Sequence, residues 1–417
     1  MSTPAPQTPP PPGARWRQLP RNVWITTAGS LLTDISSEMV ANLLPLFLAN
    51  VLGARTGVIG LIEGLAETTA SLLKLFSGWL SDRLGRRKWL TVGGYTLSTL
   101  VKPFLYLANA WGQVLAVRFF DRVGKGIRTA PRDALLADSI QPAQRGLAFG
   151  LHRAGDTLGA AIGVGVALLL VWLTQGTALT LSRATFQRII LWSIVPALLA
   201  VAILAVGLRE TGAGARGQAA FPTFSTAGFD RRFRRFLLII GLFSLGNSAD
   251  AFIILRGQER GLNILGILGM LLTFNLVYSL VAGPAGALSD RIGRRRLIIA
   301  GWLLYSLVYL GLALARSAWH IWALYAVYGL YYGLVEGNAK AFIADLVAPE
   351  RRGMAYGLYN GVVGLAALPA GLIAGLVWQG VGGWNGLGPS APFLVGAGLA
   401  LAACLLFVGW LDRPNPV

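Results

Sequence analysis

Residues 77–88 read SGWLSDRLGRRK, and residues 285–296 read AGALSDRIGRRR. The two stretches share Ser-Asp-Arg-x-Gly-Arg-Arg at an offset of 208 residues. A second pair, LADSIQPAQRGLAFGL at 136–151 and IADLVAPERRGMAYGL at 343–358, is offset by 207. Two independent matches at nearly one offset mark the chain as a duplication, and a repeat of this kind decides the architecture before any local element is assigned.

What is duplicated is a block of membrane spans. The chain has 417 residues, 54% of them hydrophobic and 13% charged, with a mean hydropathy of +0.60. That composition excludes an ordinary soluble domain. Apolar runs long enough to cross a hydrocarbon core recur along the whole length. They predict twelve spans: 23–50, 57–80, 89–110, 112–138, 145–174, 186–208, 235–256, 262–288, 296–316, 319–345, 353–380 and 391–411. The expected organisation is a proline-rich, disordered tail (1–21), a six-helix half (22–208), a polar linker (209–234) and a second six-helix half (235–412). The fold class is therefore an all-α membrane protein of twelve transmembrane helices in two pseudo-repeats.

The net charge of +18 is dispersed over short loops that alternate in sidedness, most of it on one side. This is the positive-inside pattern, and it places both termini in the cytoplasm rather than pointing to nucleic acid. Cys404 lies alone in the last span, so no intramolecular disulfide is available. No metal-ligand cluster, nucleotide loop or nucleophile elbow occurs, and neither an enzyme, a metal nor a cofactor is expected.

The doubled loop, running Gly78-x-Leu80-Ser81-Asp82-Arg83-x-Gly85-Arg86-Arg87-Lys88, resembles the signature between spans two and three of the major facilitator superfamily. Its echo lies between spans eight and nine, and the resemblance covers residues 22–412. It implies secondary transport through a central cavity between halves that rock about the substrate. It also implies a conformational latch between the halves, made of Gly78, Asp82, Arg83, Gly85 and Arg86 with their counterparts Gly286, Asp290, Arg291, Gly293 and Arg294, and with Asp138 and Asp345 as acidic partners. Arg122-x-x-Lys125-Gly126 resembles the family's fourth-span signature, in which an arginine is linked with proton transfer, although Arg128 stands where a second glycine is usual. Gly155-x-x-x-Gly159-x-x-x-Gly163 resembles the fifth-span pattern of antiporters without its Gly-Pro pair. Close packing by small residues accounts for it equally well.

Charge inside the spans points to the site, because ionisable groups at membrane depth face a bundle interior or a water-filled cavity. On a helix over 112–138, Arg118, Asp121, Arg122, Lys125, Arg128, Arg132 and Asp133 fall within an arc of about 140°. Glu63, Glu67 and Lys74 share one face of span two, Asp34 and Glu38 one face of span one, and His152, Arg153 and Asp156 cluster on span five. The repeat supplies a control: Glu63 corresponds to Leu271, Asp121 to Tyr328, Arg122 to Gly329, Lys125 to Tyr332, Arg128 to Val335, Arg132 to Ala339 and Asp156 to Val363. Since the second copy does without these charges, the fold does not require them.

The expectation is an alternating-access transporter, proton-coupled and monomeric, in the inner membrane. Its proton carriers would come from Asp34, Glu38, Glu63, Glu67, Asp121 and Asp156. A small organic or anionic solute would be bound by Arg118, Arg122, Lys125, Arg128, Arg132 and Arg153 from the first half, and by Asn247, Asp250, Asn275, Glu336 and Lys340 from the second. Tyr328, Tyr331, Tyr332, Tyr356 and Tyr359 are candidates for a cavity wall or for packing. The competing readings are a proton-antiporting efflux pump for drugs or cations, and a non-transporting sensor or scaffold on the same fold.

Overall fold

The computed structural model describes residues 19–141, 144–211, 225–348 and 351–411. The expected tail up to residue 18 and the linker from 212 to 224 lie outside the described residues, as do the side chains of Asp82 and Asp290. All twelve expected spans are helices: α1 (Arg21–Ala41), α2 (Thr56–Leu84), α3 (Arg87–Val101), α4 (Trp111–Asp138), α5 (Arg145–Gln175) and α6 (Arg183–Gly207), then α7 (Arg231–Gly246 and Asp250–Glu259), α8 (Ile264–Ile292), α9 (Arg294–Leu314), α10 (Ala318–Leu346), α11 (Arg352–Gln379) and α12 (Ala391–Gly409).

Eight of these are long and apolar enough to cross a membrane by composition alone. The other four are α2, α3, α4 and α10. Of these, α3 falls short in length, because Pro103 removes a backbone donor and the chain tightens into a 3₁₀ turn, Lys102–Leu105. In α2, α4 and α10, charged or tyrosine-rich faces replace apolar ones, and these helices line the centre rather than meeting lipid all round.

The halves repeat their packing. In the first, α1 packs on α5 and α6, α4 on α2 and α3, and α3 on α6; in the second, α7 packs on α11 and α12, α10 on α8 and α9, and α9 on α12. Across the interface α2 meets α11 and α5 meets α8. The second helix of each half thus meets the fifth of the other, as a pseudo-two-fold axis along the membrane normal requires. The glycine series of α5 serves close packing: Gly155, Gly159 and Gly163 lie against Thr27, Leu31 and Ile35 of α1. Gly60 and Gly371 bring α2 and α11 so close that a Cβ on either would overlap the other's carbonyl oxygen.

The doubled loop explains the two offsets. Helix α2 ends at Leu84 and α3 begins at Arg87, with Gly85 and Arg86 between them; α8 ends at Ile292 and α9 begins at Arg294, with Gly293 alone between them. Both glycines take positive φ, +61° and +94°, where a side chain is strained. The single extra residue shifts the offset from 208 to 207. Arg87 therefore corresponds spatially to Arg294: Arg87 pairs with Asp138 and donates to the Ala134 carbonyl, and Arg294 pairs with Asp345 and donates to the Ala341 carbonyl. The sequence expectation had matched Arg86 to Arg294. Both pairs join neighbouring helices of the same half, α3 to α4 and α9 to α10.

Candidate functional site

A cavity of about 440 Å³ lies between the halves, lined by α1, α2 and α4 on one side and α7, α10 and α11 on the other. Its charged lining is Glu38, Glu63, Glu67, Arg118 and Arg122 from the first half and Asp250 from the second. Ser244, Asn247, Ser248 and Tyr332 add hydrogen-bonding groups.

The arginines of the cavity are held one turn apart on α4. Arg118 donates to Glu63 at 2.9 Å, and Arg122 faces Glu67 at 3.5 Å. Asp121 stands beside both, at 3.8 and 3.9 Å. The pairs cross from α4 to α2, whose backbones approach because Gly126 sits over Ala70 and Leu73. The arrangement leaves polar capacity spare: the Nε atoms of Arg118 and Arg122 and one oxygen of Glu63 are buried without a hydrogen-bond partner. Arg118 and Glu63 are both largely buried, and removing one member of such a pair costs about 3–5 kcal/mol, whereas Glu67 is half exposed to the cavity and its place beside Arg122 is open to a solute anion. Glu38 accepts a hydrogen bond from the Asn42 amide at 2.8 Å. Among the described residues, neither Glu38 nor Asp250 forms an ion pair.

The second-half wall is built on a break. Helix α7 stops at Gly246 and resumes at Asp250, and tyrosines of α9 and α10 hold the gap: Tyr305 donates to the Gly246 carbonyl at 3.0 Å, Tyr309 meets the Ser248 hydroxyl at 3.3 Å, and Tyr328 donates to Asn247 at 3.5 Å. A discontinuous helix at membrane depth is tolerated where its freed backbone groups are bonded by neighbours or line a cavity. The run Gly246-Asn247-Ser248-Ala249-Asp250 carries the turn and N-terminal residues that mark such a break, although the periodicity read as one continuous span. Tyr332 alone of the five candidate tyrosines reaches the cavity; Tyr328 and Tyr331 are buried in the second half's core.

The other candidates lie away from the cavity lining. Arg128 stacks over the Tyr95 ring at 4.2 Å and donates to Ser98, buried between α3 and α4. Arg132 binds Asp133, Ser30 and Tyr95. Lys125 sits among Arg122, Glu67, Lys74 and Arg128. Asn275 turns back onto the carbonyl of Leu271 in its own helix. Arg153, Glu336 and Lys340 gather at the end that carries the doubled loops: Arg153 donates to Tyr278 at 2.9 Å, Tyr278 donates to Glu336 at 2.7 Å, and Lys340 lies 3.8 Å from Glu336. This cluster bridges the two halves. Asp34 and Asp156 lie inside the first half between α1, α4 and α5. Sequence reasoning missed Lys102, which is buried and donates to Ser36, and Arg87, the partner of Asp138.

At the end away from the loops the halves are joined tightly. The Thr56 hydroxyl donates to Gly375 at 2.9 Å and its N–H to Gln379 at 2.9 Å; farther along the same contact Thr68 donates to Gly364 at 2.6 Å. Gln258 donates to the Leu179 carbonyl at 2.8 Å, tying α7 to the connection between α5 and α6.

The family model described as Major Facilitator Superfamily matches residues 26–274 and 257–417. An uncharacterised MFS-type transporter from Methanocaldococcus jannaschii is 34% identical over 398 residues, covering 94% of this chain and 95% of that one. A "probable 4-methylmuconolactone transporter" from Cupriavidus pinatubonensis is 30% identical over 297 residues, 68% of this chain and 65% of its own. Among solved structures, a variant of the nucleoside transporter NupG superposes with a TM-score of 0.79 at 13% identity, covering 94% of this chain and 100% of that one. A POT family transporter in complex with 5-aminolevulinic acid gives 0.77 at 13%, with 94% and 97% covered.

Proposed function

This chain belongs to the major facilitator superfamily, and we propose that it is a proton-coupled secondary transporter of a small organic anion, working by alternating access. It is a multi-pass membrane transporter, not an enzyme. The observation that carries the finer reading is the ladder of two cavity-lining pairs, Arg118–Glu63 and Arg122–Glu67. Protonation of a glutamate frees its arginine, and a solute carboxylate takes the vacated place with a charge-assisted, two-pronged contact. Proton and anion then occupy the site together, since neither arrangement leaves the arginine buried and alone. A relative named as a probable 4-methylmuconolactone transporter supports a small organic solute.

The backbone-to-backbone approach of the halves is at the end away from the doubled loops, whereas at the loop end they are joined through the half-exposed side chains of Arg153 and Glu336, which supports access to the cavity from the loop end. With the basic loops in the cytoplasm, as their charge dictates, this is an inward-facing state in the inner membrane, with both termini inside. The protein works as a monomer, each chain holding a whole cavity.

The test is uptake into proteoliposomes under an imposed pH gradient, with 4-methylmuconolactone and a set of small carboxylates as probes. Wild-type protein accumulates a carboxylate only with the proton gradient. Glu67→Gln is expected to lose the pH dependence, and Arg122→Gln to lower uptake at least tenfold. The carrier assignment fails if Glu63→Gln and Glu67→Gln, made singly, leave transport and its pH dependence unchanged.

A second reading rests on Glu38 and Asp250, which face the same cavity from opposite halves without a cation. They suit an ammonium-bearing solute exchanged for protons. Uptake of tetraethylammonium or benzylammonium that is abolished by Asp250→Asn selects this reading over the first.

A further inference from the structure

Behind the cavity, inside the first half, lies a cluster that the solute site does not use. His152 of α5 is only 4% exposed, and both of its ring nitrogens lack a hydrogen-bond partner. Its Nε2 points at Asp156, one turn along, at 3.9 Å. Asp156 in turn has one buried oxygen without a hydrogen bond and faces Asp34 of α1. Among the described residues, Asp34 makes no hydrogen bond or ion pair. None of these groups lines the central cavity.

Two carboxylates and an imidazole facing one another at membrane depth, without a cation in contact, are expensive when all are unprotonated. The charged groups around them stand farther off. From α4, Arg132 and Asp133 face His152, while Lys125 and Arg128 face Asp34; Glu38 lies one turn from Asp34 on α1, and Arg153 is the neighbour of His152 on α5. None of these cations reaches within ion-pair distance of Asp34 or Asp156. At 3.9 Å the imidazole and the carboxylate are within ion-pair distance but not hydrogen-bonded, so a proton on His152 is favoured by the charge of Asp156 rather than shared with it.

We propose that His152 and Asp156, with Asp34 across the α1–α5 contact, form a proton-binding site of this transporter separate from its solute cavity. The site is tied to the conformational change by its neighbour. Arg153, next to His152, makes the hydrogen bond to Tyr278 that joins the two halves, so moving α5 changes the surroundings of the proton and of the bridge together. The assignment stands apart from the role of Glu63 and Glu67, and its test needs no solute.

The chain has two histidines, and the other, His320, is exposed near the start of α10. In a His320→Gln background, ¹³C-labelled histidine therefore gives one NMR signal from purified full-length protein. That signal is expected to titrate between about pH 5 and 8, the range in which imidazoles change charge. Asp156→Asn is expected to lower proton affinity at His152 about tenfold or more, moving the midpoint down by about one pH unit. Asp34→Asn is expected to move it in the same direction by less, and Asp156→Glu to restore it. Exchanging sodium chloride for choline chloride is expected to leave it in place. The proposal is overturned if His152 does not titrate, if Asp156→Asn leaves the midpoint where it was, or if sodium displaces the proton. A variant that fails to fold is recognised by its melting curve, and Asp156→Glu then carries the comparison.

Discussion

At the scale of single residues, arginines on one helix face do different work. Arg118 and Arg122 reach the cavity, whereas Arg128 is committed to the Tyr95 ring and Arg132 to Ser30 and Asp133. Helical phase placed all four on the polar side of α4, but an arc of about 140° spans more than one neighbouring helix. Only the positions of α2 and α3 separate a binding arginine from a packing one. The distinction is measurable: Arg128→Ala should lower the melting temperature while leaving any ligand-induced shift intact, and Arg122→Gln should abolish the ligand shift. Arg256 marks the structural extreme. It is 1% exposed and donates to the carbonyls of Leu312 and Ala313 at the end of α9, and to Ser390. Arg256→Met strands those carbonyls, at about 1–3 kcal/mol for an unsatisfied buried group, and lysine cannot rescue it because one ammonium does not reproduce the guanidinium fork. Thermal unfolding in detergent checks both substitutions.

At the scale of helices, the contact of α2 with α11 holds the closed end. Gly60 and Gly371 face each other there, and Gly375 lies against the Thr56 backbone. Gly371→Val forces these helices apart, so the population should shift toward the state closed at the loop end. Spin labels on the loop-end tips of α2 and α11, in a chain whose single cysteine is buried, would report shorter distances in the variant. The element boundaries were readable because hydropathy and turn residues agree at most helix ends. Two features were not. The break in α7 is stabilised by tyrosine hydroxyls of α9 and α10, which periodicity along α7 does not reveal. The one-residue difference between the doubled loops was hidden by their identical Ser-Asp-Arg-x-Gly-Arg-Arg, and Arg87, which pairs with Asp138, was left out of the expected latch. If Arg87 and Asp138 act as one unit, Arg87→Ala, Asp138→Asn and the double variant should lower stability by similar amounts, the non-additivity expected of groups in contact.

At the scale of the whole molecule, the duplication gives two halves with the same packing and unequal chemistry. The repeat made the architecture evident from sequence, because two copies of a loop at one spacing leave little freedom in topology. The contrast between copies points to the first half for the charged lining of the cavity, although Arg235 and Arg256 are buried in the second half. It left open how that charge is partitioned, which depends on distances across helices: Arg118, Arg122, Glu63 and Glu67 at the cavity, Arg153 and Glu336 at the bridge between halves, and His152 and Asp156 behind. The central claim is that protonation of Glu63 or Glu67 frees a cavity arginine for an organic anion, so that proton and anion bind together. Its most direct test is the melting temperature of purified protein with a panel of small carboxylates and small ammonium ions at pH 5.5 and pH 8, because a bound ligand raises stability by mass action. The account predicts stabilisation by a carboxylate that grows as pH falls, that becomes independent of pH in Glu67→Gln, and that is lost in Arg122→Gln. Stabilisation by an ammonium ion instead, lost in Asp250→Asn, would contradict it.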